Sequence, residues 1–374
     1  MFNEFNSWLF YLGVFGGSAY LLGFIRENQK KRTFFALTIT LVALAMPILI
    51  AAYRVCGTDT FLYMRTYVTT RRTPWVQLID DMEGLSEIGH TFLTKFLGYF
   101  KSIRIYLGAY AAIMVVAFYF ATKKVKNEAL TFAMILFYFG VFSSSFNIMR
   151  QCVAVALVAH AYTFVFEKNF LKFFSIVFLA SCFHLSAFIT VFVYFLWTKE
   201  EKLIPTLFLG IILVVVALVA FNIDSILTSF TGEEFKSATL QRYTGYGGDV
   251  DVEFKNRDFY LSLVIAVIIV THHSRLVKID GKNVLYIFLF YISIALGLCG
   301  FINPYAKRIA MYFEITSIWV IADIPKCYKD HTSVWSARLL IIFYAILKFT
   351  ITAYVLEQGA LIPYVWVLPS WARF

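Results

Sequence analysis

The sequence predicts an all-α, polytopic membrane protein, and three observations carry that prediction. Apolar residues make up 60% of the 374 and charged residues only 15%, whereas a soluble domain carries about a quarter charged residues. So few polar groups cannot wrap that much apolar surface in water. Apolar runs long enough to cross a bilayer recur along the whole chain. Lys and Arg gather in the short connections between those runs, the pattern that orients membrane helices. Together these exclude a soluble globular enzyme, a disordered chain, a fibrous protein and a secreted disulfide scaffold. A net charge of +10 on such a chain points to anionic lipid rather than nucleic acid. The five cysteines are scattered and lack CxxC spacing, so neither a disulfide framework nor a metal site is expected.

The first run, 8–25, lacks a basic lead and a small-residue cleavage site and is expected to be a retained span. Further spans are expected at 33–52, 105–121, 128–146, 151–166, 203–221, 258–271, 283–301, 309–323 and 339–356. Arg26, Lys30, Lys31 and Arg32 follow the first span and place the N-terminus outside. Lys123, Lys124 and Lys126 mark the next cytoplasmic loop, then Lys168 and Lys172, then Arg275, Lys278 and Lys282, and finally Lys326, Lys329 and Arg338. Two of these loops, 167–172 and 272–282, must be separated by an even number of crossings. The apolar run 173–197, counted once, makes the number odd. Breaking it near His184 restores parity and puts about half of the Lys and Arg residues into a much shorter length of cytoplasmic loop. The prediction is therefore a broken or re-entrant helix near His184 and about 12 crossings in one membrane domain over 1–374. Two long external loops follow from it, 53–104 and 222–257.

Several polar residues stand out against this background. Arg54, Arg150 and Arg308 lie at the outer ends of spans. They read either as side chains snorkelling to headgroups or as guanidinium forks converging on phosphate oxygens. Asn147, Arg150 and Gln151 have i, i+3, i+4 spacing, so they are expected on one helix face, directed to a cavity or to a partner helix. His184 is an ionisable group within an apolar run. Thr58 or Asp59 can cap a helix on which Tyr63 and Tyr67 stack, with Arg65 between them, and Glu87 and His90 follow in the same loop. Tyr305, Arg308 and Tyr312 share another face, while Glu314 and Lys348 are expected to neutralise each other within the spans. The second external loop contains Arg242-Tyr-Thr-Gly-Tyr-Gly-Gly-Asp249, whose Tyr243 and Tyr246 can stack on sugar rings. Asp249-Val-Asp251 is a chance match to a metal clamp, and the acidic run Asp80, Asp81, Glu83, Glu87 reads as a solvated loop face. No nucleotide, metalloprotease or hydrolase fingerprint occurs, and no cofactor is expected.

Four of these stretches together resemble the EpsG family of Wzy-like polysaccharide polymerases. They are Arg54 with Gly57-Thr58-Asp59 and Tyr63; Arg150-Gln151 with Ala154; Phe183-His184 with Ser186-Ala187; and Arg308 with Tyr312-Phe313 and Ile324-Pro325. The terminal Ile362-Pro363-Tyr364 adds to them. The resemblance implies a bacterial inner-membrane glycosyltransferase, metal-independent and GT-C-like in architecture, with its site facing the periplasm. It implies that undecaprenyl-diphosphate-linked oligosaccharides are both donor and acceptor, with a chain-length regulator as partner. The products in view are O-antigen, lipopolysaccharide and related polysaccharides. On that reading Arg54, Arg150 and Arg308, with Arg65 and Gln151, bind the diphosphate; Asp59 and His184 serve the acceptor hydroxyl; and Tyr63, Tyr243, Tyr246 and Tyr312 line the sugar path. A flippase or transporter of lipid-linked oligosaccharide and an O-antigen ligase are the alternatives.

Overall fold

The computed structural model describes residues 2–28, 34–80, 88–125, 128–197, 257–301, 304–355 and 360–368. Each element among them is helical. The order is α1 (Glu4–Asn28), α2 (Phe34–Tyr53), α3 (Thr60–Arg72), α4 (Trp75–Asp80), α5 (Ile88–Gly98), α6 (Ile103–Ala121), α7 (Glu128–Phe137), α8 (Met149–Phe166) and α9 (Phe170–Phe183). After a 3₁₀ segment, Leu185–Phe192, come α10 (Val193–Leu196), α11 (Arg257–Ile279), α12 (Asn283–Cys299), α13 (Pro304–Glu314), α14 (Ser317–Asp323) and α15 (His331–Thr350). Six of the described helices are long and apolar enough to cross a membrane, and shorter apolar helices accompany them. This is a polytopic membrane protein. The expected span 203–221 and the loop 222–257 up to residue 256, with Tyr243, Tyr246 and Asp249-Val-Asp251, lie outside the described residues, as do 81–87 of the acidic run.

The central helix is α8, buried along nearly its whole length between α6 and α9. Its alanines, Ala154, Ala156, Ala159 and Ala161, let neighbouring backbones approach closely, which is how helices associate where no water drives them together. The stretch expected as one span over 128–146 is not regular. It passes from α7 into a π-helical turn, Tyr138–Phe142. The hydroxyls of Ser143, Ser144 and Ser145 then donate to the carbonyls of Phe139, Gly140 and Phe142 at 2.9, 3.0 and 2.6 Å. Side chains that compete for those carbonyls weaken the helix, and the chain unwinds before α8. The expected span 309–323 is likewise divided, between α13 and α14, and the loop 53–104 is built from helices: α3 and α5 pack side by side on the start of α6.

The run 173–197 breaks at His184. There the backbone is extended, with φ −155° and ψ 111°, between α9 and the 3₁₀ segment. The chain then doubles back. Tyr194 returns to within 5.1 Å of the Phe170 ring and 5.4 Å of the Phe173 ring, and Lys168 Nζ donates to the Trp197 carbonyl at 2.7 Å. The two halves therefore start and finish at the same end of the bundle, as the charge parity requires.

That end collects the basic connections. Arg26 donates to the carbonyls of Thr122, Lys123 and Val125 at 2.9–3.1 Å, Lys124 pairs with Glu167 at 2.9 Å, and Arg338 pairs with Glu128 at 2.6 Å. The opposite end gathers the turns that hold Arg54, Asn147, Arg150, His184 and Arg308. With 14 residues, α9 rises only about 21 Å from the basic end, short of a hydrocarbon core of about 30 Å. By that length His184 is set back from the opposite rim, and this set-back, bordered by the turns gathered there, is the recess.

Candidate functional site

The turn after α2 is held by Arg54. Its side chain is only 1% exposed, and its guanidinium lies over the Phe146 ring with 4.2 Å to the centroid. It donates to the Ala51 carbonyl at 3.2 Å and the Ser145 carbonyl at 3.4 Å. Arg54 therefore ties the end of α2 to the turn before α8 and does not face the recess with Arg150 and Arg308. Gly57 follows at φ +112°, a conformation that suits glycine, and a Cβ there would run into the Phe146 carbonyl oxygen. The C-terminal segment closes the turn from the other side: Val55 N–H donates to the Val365 carbonyl at 2.6 Å and Gly57 N–H to the Ala360 carbonyl at 3.1 Å.

This reversal presents Asp59 to the recess. Asp59 occupies the N-cap position of α3, but its side chain caps no amide. Its φ of −95° and ψ of −1° are helical, whereas a capping residue has extended backbone that brings its oxygen back to the first turn. Instead the carboxylate meets Asn147. With the amide oriented to satisfy both groups, Asn147 Nδ2 donates to Asp59 Oδ2 at 3.0 Å and to Thr58 Oγ1 at 2.7 Å. Asn147 itself precedes α8, with Ile148 as N-cap, so it does not share a helix face with Arg150 and Gln151. The three polar groups converge through the turn rather than through helical spacing.

Arg150 and Arg308 are half-buried, and both lie close enough to Asp59 and to His184 to act electrostatically on each. Burial raises the Asp59 carboxyl above its ordinary range, while Arg308 and Arg150 pull it back down. The two arginines are held by a double tie between α8 and α13. Gln151, 2% exposed, donates from Nε2 to the Arg308 carbonyl at 2.7 Å. One turn further along α13, Tyr162 Oη donates to the Tyr312 carbonyl at 3.0 Å. Gln151 is thus a brace for Arg308 rather than an open ligand.

On the floor of the recess, His184 Nδ1 lies 2.6 Å from Ser186 Oγ, Ser186 Oγ donates to Tyr312 Oη at 3.0 Å, and Tyr312 Oη lies 3.3 Å from Nδ1. Tyr312 is fully buried, so it supports His184 and offers no surface to a sugar. Tyr63 is 8% exposed and meets the backbone of Arg150. Arg65 lies on the exposed face of α3, opposite the buried Tyr63, Met64 and Tyr67, and is not brought to the recess.

A second layer, not singled out from sequence beyond its i, i+3 spacing, stands behind Tyr63. His90 is buried, stacks edge-on to Tyr63, and its Nδ1 lies 2.8 Å from Tyr110 Oη. Burial pushes its imidazole down to about 3. It reaches this place because Gly89 lets α5 touch the Cys182 backbone at the end of α9. Among the described residues no group of three or more His, Cys, Asp or Glu side chains is arranged to hold a metal ion.

The residues that build the recess come from the same stretches that carried the family resemblance. A profile of the EpsG family matches residues 37–366, nearly the whole chain. The chain belongs to the EpsG family. No curated protein and no solved structure matches it. EpsG membership goes with a membrane enzyme of polysaccharide synthesis that acts on lipid-linked sugars. In this EpsG-family chain Asp59, Arg150, His184 and Arg308, drawn from distant parts of the matched stretch, meet at one end of the helix bundle.

Proposed function

We propose that the protein is a Wzy-type polymerase, a glycosyltransferase that joins undecaprenyl-diphosphate-linked oligosaccharide units at the periplasmic face of the bacterial inner membrane. The observation that supports this best is that Arg150 and Arg308 both lie close enough to Asp59 and to His184 to act on each of them. The leaving group is a lipid diphosphate, whose negative charge grows as the glycosidic bond to it breaks. Fixed guanidinium groups in a partly dehydrated site stabilise such charge without needing a metal. Arg150 and Arg308 bind the diphosphate, and Gln151 and Arg54 hold the backbone that presents them. Tyr63 borders the sugar path. The acceptor hydroxyl is positioned near His184, which takes its proton, with Asp59 as the other basic group in reach. A chain-length regulator would act on the polymer as it grows.

Arg150→Ala and Arg308→Ala are each expected to lower polymerisation by about 100-fold or more, the usual cost of removing a group that stabilises charge in the transition state. Glycolipid gels of membranes with normal protein levels should then show single repeat units in place of a ladder. Full-length polymer from either variant would overturn the reading. Accumulation of complete lipid-linked polymer on deletion of the gene would point to a ligase instead.

A further inference from the structure

The two hydroxyl groups around His184 assign its proton. Ser186 Oγ is the donor to Tyr312 Oη at 3.0 Å, so the single hydroxyl proton of Ser186 is committed to Tyr312. The 2.6 Å separation between Ser186 Oγ and His184 Nδ1 must nevertheless contain a proton, because two lone pairs at that distance repel. With the Ser186 proton on Tyr312, the proton in this short contact comes from the imidazole. Tyr312 Oη, 3.3 Å from Nδ1, completes the triangle. Nδ1 is thereby saturated by two hydroxyl groups, and among the described residues no hydrogen bond reaches Nε2.

We infer that Ser186 and Tyr312 are positioning residues that lock neutral His184 as its Nδ1–H tautomer, so that Nε2 carries the lone pair that receives the acceptor proton. The inference rests on the reading above, in which His184 serves the acceptor hydroxyl. In the step it describes, the acceptor oxygen forms a bond to the anomeric carbon of the donor. The bond from that carbon to the diphosphate oxygen breaks, and its electron pair leaves with the lipid diphosphate. The acceptor proton passes to Nε2 and then to water. Throughout, Nδ1–H stays on Ser186, which orients the ring and accepts from the imidazolium as it forms.

The fold builds this device from two distant parts of the chain. His184 and Ser186 are presented by the break between α9 and the 3₁₀ segment, where Ala187 N–H donates to the His184 carbonyl at 3.0 Å. Tyr312 comes from α13, fixed by the Tyr162 bond to its carbonyl. Ser186 supplies the shorter of the two hydroxyl contacts to Nδ1, 2.6 Å against 3.3 Å from Tyr312 Oη.

Two measurements test it. The first is independent of catalysis: nitrogen NMR of the full-length protein in lipid bilayers with ¹⁵N-labelled imidazole rings, the His184 signals being those lost in His184→Gln. Neutral His184 should show a protonated Nδ1 and an unprotonated Nε2; the reverse tautomer overturns the inference. The second is kinetic, in proteoliposomes supplied with a lipid-diphosphate-linked oligosaccharide. Ser186→Ala should lower kcat by about 10–100-fold, a part of what a positioned base contributes, with acceptor KM changed by less than about threefold. Ser186→Thr should recover most of the rate, and in the His184→Gln background Ser186→Ala should cost nothing further. An equal loss from Ser186→Ala with and without His184 overturns the inference. A wild-type protein that shows the Nδ1–H tautomer yet makes no polymer from such a substrate would instead overturn the functional reading and leave the tautomer standing.

Discussion

Two polar clusters lie in the helix bundle, and they are built differently. In the first, Lys348 Nζ donates to Glu314 Oε1 at 2.6 Å, and Ser262 Oγ donates to the same oxygen at 3.3 Å. Opposite charges from α13 and α15 meet at contact distance, and α11 adds a hydroxyl. In the second, Arg150 and Arg308 act together on Asp59 and His184, whose hydrogen-bond partners are neutral: Asn147 for the carboxylate, Ser186 and Tyr312 for the imidazole. The first arrangement joins helices where a lone charge would be costly in hydrocarbon. The second draws its groups from several turns, and neutral neighbours hydrogen-bond Asp59 and His184. Opposite charges at contact distance mark the structural cluster here, and neutral hydrogen-bond partners for Asp59 and His184 mark the one we propose to be reactive.

Substitutions can sharpen that contrast. The largest structural loss is expected at Arg54, which belongs to the frame of the second cluster. Arg54→Ala empties a fully buried site and strands the Ala51 and Ser145 carbonyls, at a cost of about 4 kcal/mol. It should appear as a lower thermal unfolding temperature in detergent and reduced protein in membranes. Arg54→Ala at normal stability would put its role in the recess instead. Glu314→Leu should cost about 3 kcal/mol by leaving Lys348 without its carboxylate, and adding Lys348→Leu should restore most of it. Polymer made per folded molecule should not change in either variant; a drop would move this pair into the reactive cluster.

His90 gives a smaller, pH-dependent effect. Burial pushes its imidazole down to about 3 in the folded protein, from an ordinary value of 6.5. Between those values the unfolded chain binds a proton that the folded protein refuses. Stability therefore falls as pH drops from about 6.5 towards 3, by up to about 1.4 kcal/mol per pH unit. Thermal unfolding across this window should lose that slope in His90→Phe; an unchanged slope would mean that other groups set it. Smallest of all, Arg65→Ala should leave polymer length and protein level unaltered, because Arg65 faces away from the recess. A shortened ladder would show that the exposed face of α3 takes part.

The break at His184 shows how far a sequence can be read without a structure. No glycine or proline marks it. It was visible only through charge, because two basic loops had to return to one side. The extended backbone at His184 and the 2.7 Å bond from Lys168 to Trp197 then supply the turn and its closure. The polar face proposed for Asn147, Arg150 and Gln151 shows the limit. Helical spacing assumed a helix through all three, but the serine hydroxyls of 143–145 unwind the chain, and Asn147 reaches Asp59 from a turn. The three arginines at span ends looked equivalent for the same reason: position along a span does not tell which way a side chain leaves it. Ser186, named in the sequence only as part of a family motif, also reads as the hydroxyl two residues after an intramembrane histidine, and His90 carries a further signal in the glycine beside it.

Composition and charge spacing are enough to make this a membrane protein, to group the ends of its helices, and to single out a few polar residues against the apolar background. Those are properties of composition and of charge placed at intervals, and they survive without knowledge of contacts. Only the tertiary structure decided that Arg54 is sealed in the frame, that Arg150 and Arg308 face Asp59 and His184, and that Tyr312 closes the triangle on Nδ1. These depend on hydrogen bonds of about 3 Å between residues far apart in the chain, and such geometry is set by helix ends and turns whose local energies differ too little to be read from residue type.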